Sequence, residues 1–276
     1  QLSEQEFKQE YNLDPVIAGM KERYKLVYPI RDSSRAVLIY ARGIDSGQEV
    51  IVKQFPEFGQ EQFEREKILQ GILRFWGGHK NILLADEFLD EQRMVITSYA
   101  RGGDIDHWQN ETKVRLTPRQ AKGIICGLCD ALQYMHDCGI IHQDVKNKNI
   151  VLDIADHDLK EIAAEHLTSP EITHKLLDYD IGLHKAVAHL ESPQSIEGTP
   201  HYLAPEVIKG GKPDPRVDIY AAGITLYKLL TRHFPVVGTT ASEIMEAHLK
   251  VRVPDVTEFN PAVTAGVQSV LENALA

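Results

Sequence analysis

The chain predicts an α+β fold in which strands come first and helices follow, and three observations carry that prediction. Between Tyr24 and about Tyr99 short apolar runs read mostly as strands. After Gly102-Gly103 apolar residues recur at helical spacing instead. The two patterns are segregated along the chain, so the strands and the later helices are expected to form separate halves.

Taken in order, residues 1–24 are polar, with a short helix expected around "SEQEFKQEY". "AVLIYARG" and "QEVIVKQF" read as strands joined by a turn at Asp45-Ser46-Gly47. "EQFEREKILQGILRF" is an interrupting helix, and "RMVITSY" returns to strand. Thr117-Pro118 supplies an N-cap and a first-turn proline. Ala121, Ile124, Leu128, Ala131, Leu132 and Met135 then keep helical spacing until Gly139 stops the run. "NIVL" is a short strand, "DHDLKEIAAEHL" a short helix, and "RVDIYAAGITLYKLLT" is apolar enough to be a buried helix. The chain has no internal repeat and no low-complexity tract.

Composition limits the function classes. At 276 residues the chain can bury a substantial core, as one large domain or two smaller lobes. A net charge of −10 argues against nucleic acid or an anionic membrane as the main partner. No apolar run is long enough to span a bilayer. A chain that starts at Gln1 rather than Met is expected to be a piece of a longer one, which leaves an upstream signal open. Cys126 and Cys129 form a CxxC inside a helical pattern, without a second ligand pair at zinc spacing. With Cys138 they are expected to be buried free thiols, which points to a reducing, cytoplasmic compartment.

The chemistry is concentrated in "IIHQDVKNKNIVL", residues 140–152. Asp144, with Lys146 two residues on and Asn149 five on, between a capped helix and an apolar strand, resembles the catalytic loop of protein kinases. "VIVK" at 50–53, "DIGL" at 180–183, "GTPHYLAPEV" at 198–207 and "DIYAAGITLYKLL" follow the order of that family's motifs, and the resemblance covers nearly the whole chain from Tyr24 onward. It implies a two-lobed protein-kinase-like fold: an N-terminal extension over 1–24, a lobe of antiparallel sheet plus one helix over 25–98, and a mainly helical lobe over 99–276. It also implies ATP and Mg2+, or Mn2+ in its place. Asp144 would serve the attacking hydroxyl and Lys146 would neutralise the transferring phosphoryl group. Asn149 and Asp180 would hold the metal, Asp178 being the alternative in "DYD". Lys53 would clamp the α- and β-phosphates, paired with Glu66 or Glu64. Around the nucleotide the resemblance places Val37, Ile51 and Val151, Thr97 as gatekeeper, the backbone of Ser98 and Ala100 on adenine, and Asp104 on the ribose. Lys146 and Thr199 resemble the serine/threonine type.

The departures are specific. Where the family has phosphate-cradling glycines, "IRDSSRAV" places Ile30, Asp32 and Arg35, whose side chains hinder close backbone approach. Ile51 stands where an alanine is usual, and Gln143 replaces the arginine that reads a phosphorylated activation segment. Residues 153–176 read as an insertion, either a regulatory partner site or a solvated loop. The chain also ends short of the arginine expected to pair with Glu206. Two functions are therefore carried forward: a kinase transferring phosphate to Ser or Thr of a protein substrate, and a pseudokinase acting as a scaffold or allosteric module.

Overall fold

The computed structural model describes residues 20, 22–32, 36–154, 163–177, 200–250 and 252–276. The expected helix at "SEQEFKQEY", the turn residues Ser33, Ser34 and Arg35, the "DIGL" motif with Asp178 and Asp180, and Thr199 lie outside the described residues.

Two compact units form. The first takes the described residues of Gln1–Phe75 together with Leu84–Tyr99, and the second takes Trp76–Leu83 and Ala100–Ala276. The expected division into 25–98 and 99–276 is thus corrected at two places. Residues 76–83 join the second unit because the Asn81 carbonyl and the Leu83 N–H both bond to Leu176. Tyr99 stays with the first because its N–H donates to the carbonyl of Glu49.

In the first unit five strands form one antiparallel sheet: β1 (Tyr24–Asp32), β2 (Val37–Gly43), β3 (Glu49–Gln54), β4 (Glu87–Leu89) and β5 (Met94–Ser98). Their spatial order is β1-β2-β3-β5-β4. Gly47 supplies the left-handed residue of the β2–β3 turn, at φ 66°. Strand alternation sorts the side chains onto two faces. Ile39, Ala41, Val50, Val52, Met94 and Ile96 pack one buried face. On the other, Phe55 and Val95 meet Phe63 of α1 (Gln60–Phe75).

In the second unit α2 (Ile105–Thr112) is followed by α3 (Pro118–Asp137). Thr117 and Gln120 cap α3 reciprocally, side chain to backbone in both directions. Its predicted apolar stripe is buried as a unit. The cysteines are a correction: Cys126 and Cys129 are exposed and Cys138 is half-exposed, although all three are free thiols. Two residues past Ile124 a helix has turned about 200°, so Cys126 points away from the stripe that buries Ile124.

Strands β6 (Ile150–Ile154) and β7 (Ile172–Leu176) pair antiparallel. Asp153, Ile154 and Ile172–Leu176 therefore belong to strands, which confines the expected insertion to the residues between them. There Ala164–Thr168 forms a 3-10 helix rather than the end of an α-helix. After the short helix α4 (Pro205–Ile208) comes α5 (Arg216–Thr231), buried along nearly its whole length as its sequence predicts. Helices α6 (Ala241–Leu249) and α7 (Ala265–Ala274) complete the unit. Leu275, just past α7, packs so closely on Gly223 of α5 that an added Cβ would lie 2.9 Å from its Cδ2.

Candidate active site

In the first unit the central pair is Lys53 and Glu66. Lys53 Nζ donates to Glu66 Oε2 at 2.8 Å, with both side chains largely shielded from solvent. Low solvent exposure strengthens such a pair relative to a surface ion pair. Of the two glutamates considered, Glu66 faces the lysine; Glu64 accepts from Gln60 at 3.0 Å. Glu66 is itself held by Gln70 one helical turn on, whose Nε2 donates to Glu66 Oε1 at 3.1 Å. The Gln70 Oε1 accepts the Ala85 N–H at 2.6 Å, which ties α1 to the chain entering β4. The Lys53 ammonium also lies 5.0 Å from the centre of the Phe55 ring.

In the second unit the loop after α3 is built around Asp218 of α5, which is fully buried. Its Oδ2 accepts the His142 N–H at 2.9 Å and its Oδ1 the Gln143 N–H at 2.8 Å. His136 Nε2 lies 2.7 Å from the same Oδ2. Gln143 has a left-handed backbone, φ 61°. That conformation costs a non-glycine residue about 1–2 kcal/mol, which its charge-assisted bond to Asp218 offsets. The buried His142 ring has a defined tautomer. Its Nδ1 accepts the Asp144 N–H at 3.2 Å, so Nε2 carries the proton and donates to the Leu177 carbonyl at 3.2 Å.

This scaffold presents Asp144, which is 4% exposed. Lys146 Nζ donates to Asp144 Oδ2 at 2.7 Å. Asn149 Nδ2 bonds both that oxygen, at 3.1 Å, and the Asp144 carbonyl, at 2.8 Å. Asn149 is tied to β7 in turn, its carbonyl accepting the Leu177 N–H at 3.0 Å. The fully buried Asn147 accepts the Tyr202 hydroxyl at 3.1 Å, which joins the loop to the segment leading into Ala204-Pro205-Glu206. Burial pushes the Tyr202 phenol up, and Asp106 adds to that shift, so it stays a hydroxyl donor.

A family model described as the protein kinase domain matches residues 34–275. The chain belongs to the protein kinase family. Serine/threonine-protein kinase PrkC of Bacillus subtilis is 26% identical over 258 residues, covering 92% of this chain and 37% of that protein. Serine/threonine-protein kinase Pkn1 of Myxococcus xanthus is 28% identical over 277 residues, covering 95% and 36%. DNA damage-responsive serine/threonine-protein kinase RqkA of Deinococcus radiodurans is 34% identical over 142 residues, covering 51% and 19%. The chain thus spans well under half the length of these curated relatives.

Within this kinase domain the expected site residues fall into two groups. Lys53, Glu66, Ile51, Thr97 and Ser98 belong to the first unit, where Ile51 is directly opposite Thr97 across β3 and β5. Asp144, Lys146, Asn149, Ala100, Asp104 and Val151 belong to the second. There Asp104 bridges to Val151, and the neighbouring Gly102 and Gly103 bond to Leu152. The Asp104 carboxylate caps α2 by accepting the His107 N–H at 2.8 Å, and burial raises its pKa from the ordinary aspartate value.

Val37 is a correction. It packs against the Ile39–Val52–Ile96 face, away from Lys53. Leu38 is the residue directly opposite Lys53. A one-residue offset in the strand moves a side chain to the other face, so Leu38 and not Val37 shares the face of Lys53. Sequence reasoning also missed Gln70 and Asp218. Their signals were a glutamine one turn from Glu66 and a lone carboxylate inside an otherwise apolar helix.

Of the residues expected to hold a metal, only Asn149 is among the described residues. Asn149 offers an amide oxygen, since its Nδ2 is the atom engaged with Asp144. The carboxylates of Asp178 and Asp180 lie outside the described residues. Among the described residues no cluster of three or more His, Cys, Asp or Glu side chains could hold a metal, and no helix is long and apolar enough to cross a membrane.

Proposed function

We propose that this kinase domain transfers the γ-phosphoryl group of ATP, with Mg2+, to a serine or threonine hydroxyl of a protein substrate. The observation that carries the reading is the Asp144 carboxylate, with Lys146 and Asn149 converging on one of its oxygens, on a loop pinned to the buried Asp218. Asp144 accepts the hydroxyl proton as the hydroxyl oxygen bonds to the γ-phosphorus and the bond from that phosphorus to the β,γ-bridging oxygen breaks. Lys146 balances charge on the transferring group, and Lys53, fixed by Glu66 and Gln70, holds the α- and β-phosphates. Asn149 and Asp180 would hold a magnesium ion, which would supply positive charge to neutralise the phosphate oxygens. Ile51, Thr97, Leu38, Ala100 and Val151 contact the adenine, and Asp104 the ribose.

The net charge of −10 favours basic protein targets. A thermal-unfolding series with ATP, with and without Mg2+, tests the binding half of this reading. We expect ATP to raise Tm, with the metal-dependent part lost in Asn149→Ala. No shift with Mg-ATP at millimolar concentration contradicts it.

A further inference from the structure

Cysteine is among the most consistently buried residue types, yet Cys126 and Cys129 are both exposed and both free, one turn apart on α3. Helix geometry puts Cα atoms three residues apart at about 5 Å, inside the roughly 4.4–6.8 Å range that a disulfide bridges. The corresponding Cβ atoms stand about 5–6 Å apart, against about 4 Å in a disulfide, so closing the pair must tighten this turn. The resulting bond is strained and easily reduced, which is the character of a reversible disulfide and not of a structural one.

The turn to be tightened is not free to move. Gly127 lies between the two thiols, and a Cβ there would sit 2.8 Å from Asn81 Nδ2. Asn81 in turn holds β7 twice: its side chain donates to the His174 carbonyl at 2.8 Å, and its own carbonyl accepts the Leu176 N–H at 2.8 Å. The next residue, Leu177, bonds to Asn149 through its N–H and to the His142 ring through its carbonyl. A continuous chain of contacts therefore runs from the thiol pair to the loop carrying Asp144.

We propose that Cys126 and Cys129 form a redox-modifiable dithiol, closed by exchange with a low-molecular-weight disulfide, and that closure acts through Asn81 on β7 and the 142–149 loop. One cysteine thiolate attacks a sulfur of the small disulfide, forming a mixed disulfide and expelling one thiolate. The second cysteine loses its proton to solvent and attacks the first cysteine's sulfur, forming the intrahelical bond and expelling the other thiolate. The two cysteines give up two electrons and two protons, and the small disulfide becomes two thiols.

The test uses the whole chain in glutathione buffers of graded redox poise and needs no phosphoryl-transfer readout. We expect a link mapped to Cys126–Cys129 with Cys138 still open to alkylation, and a trapped glutathione adduct in Cys129→Ser. In the oxidised chain hydrogen exchange at the Leu176 and Leu177 amides should quicken several-fold, and the same treatment of a Cys126→Ser/Cys129→Ser chain should leave it unchanged. Absence of the 126–129 link even in fully oxidised glutathione, a link through Cys138 or between chains instead, or unchanged exchange at both amides in linked protein would each overturn the proposal.

Discussion

Asp218 has no exposed surface, yet three groups bond to it: the His142 and Gln143 N–H groups and the His136 ring. Removing a buried acceptor leaves its donors unsatisfied, at about 1–3 kcal/mol for each. Asp218→Ala should therefore lower the urea midpoint strongly, and Asp218→Asn, which keeps one acceptor oxygen, by a smaller amount at unchanged m-value. Equal midpoints for Asp218→Ala and wild type would show that the loop is not organised this way. Val37 and Leu38 make a second residue-scale test. Val37→Ala should reduce stability with ATP affinity unchanged, whereas Leu38→Ala should weaken ATP binding several-fold by titration. Lys53, Asp144 and Asn149 stand out in the sequence because each has a chemical type at a fixed spacing from its motif neighbours. Val37 was misplaced because spacing alone does not fix strand register, and one residue of error reverses the face. Gln70 and Asp218 were passed over because their partners, Ala85 and the loop backbone, are assigned by tertiary contact and not by spacing.

At the scale of elements, α3 shows what periodicity reveals and what it hides. Its length, cap and apolar stripe follow from the Thr117-Pro118 start, the helical spacing and Gly139. The exposure of its thiols needed the phase to be followed residue by residue. Gly127→Ala sets two effects of opposite sign against each other. Alanine is favoured over glycine inside a helix by about 1 kcal/mol. The new methyl group, however, would meet Asn81 Nδ2 at 2.8 Å, and that amide is fixed by its bond to His174. We expect the clash to win, so the variant melts below wild type; a higher Tm would mean that the Asn81 contact yields easily. "NIVL" reads as a strand and β6 bears it out, whereas β7 (Ile172–Leu176) was harder to read, because it follows a stretch with helical composition and becomes a strand only by pairing with β6.

Across the whole molecule, two buried histidines link stability to pH. Burial pushes both His174 and His248 down to about 4. In the unfolded chain they return to about 6.5, so between these values the unfolded state binds more protons than the folded one. Stability is then fully present above about pH 6.5 and declines as pH falls toward 4, by up to about tenfold in the folding equilibrium per pH unit for each histidine. Urea midpoints from pH 4.5 to 7 should rise accordingly, with a shallower slope in His248→Gln; a flat profile would contradict this assignment. At the same scale the family was legible because its motifs keep their order along the chain, which no single motif could establish. The most direct measurement of the central claim is phosphoryl transfer from γ-labelled ATP, with Mg2+, to a basic protein by wild type and by Asp144→Asn. The account predicts incorporation on serine or threonine by the wild type, reduced at least about a hundredfold in the variant. Equal incorporation by both proteins, or none by the wild type, would contradict it.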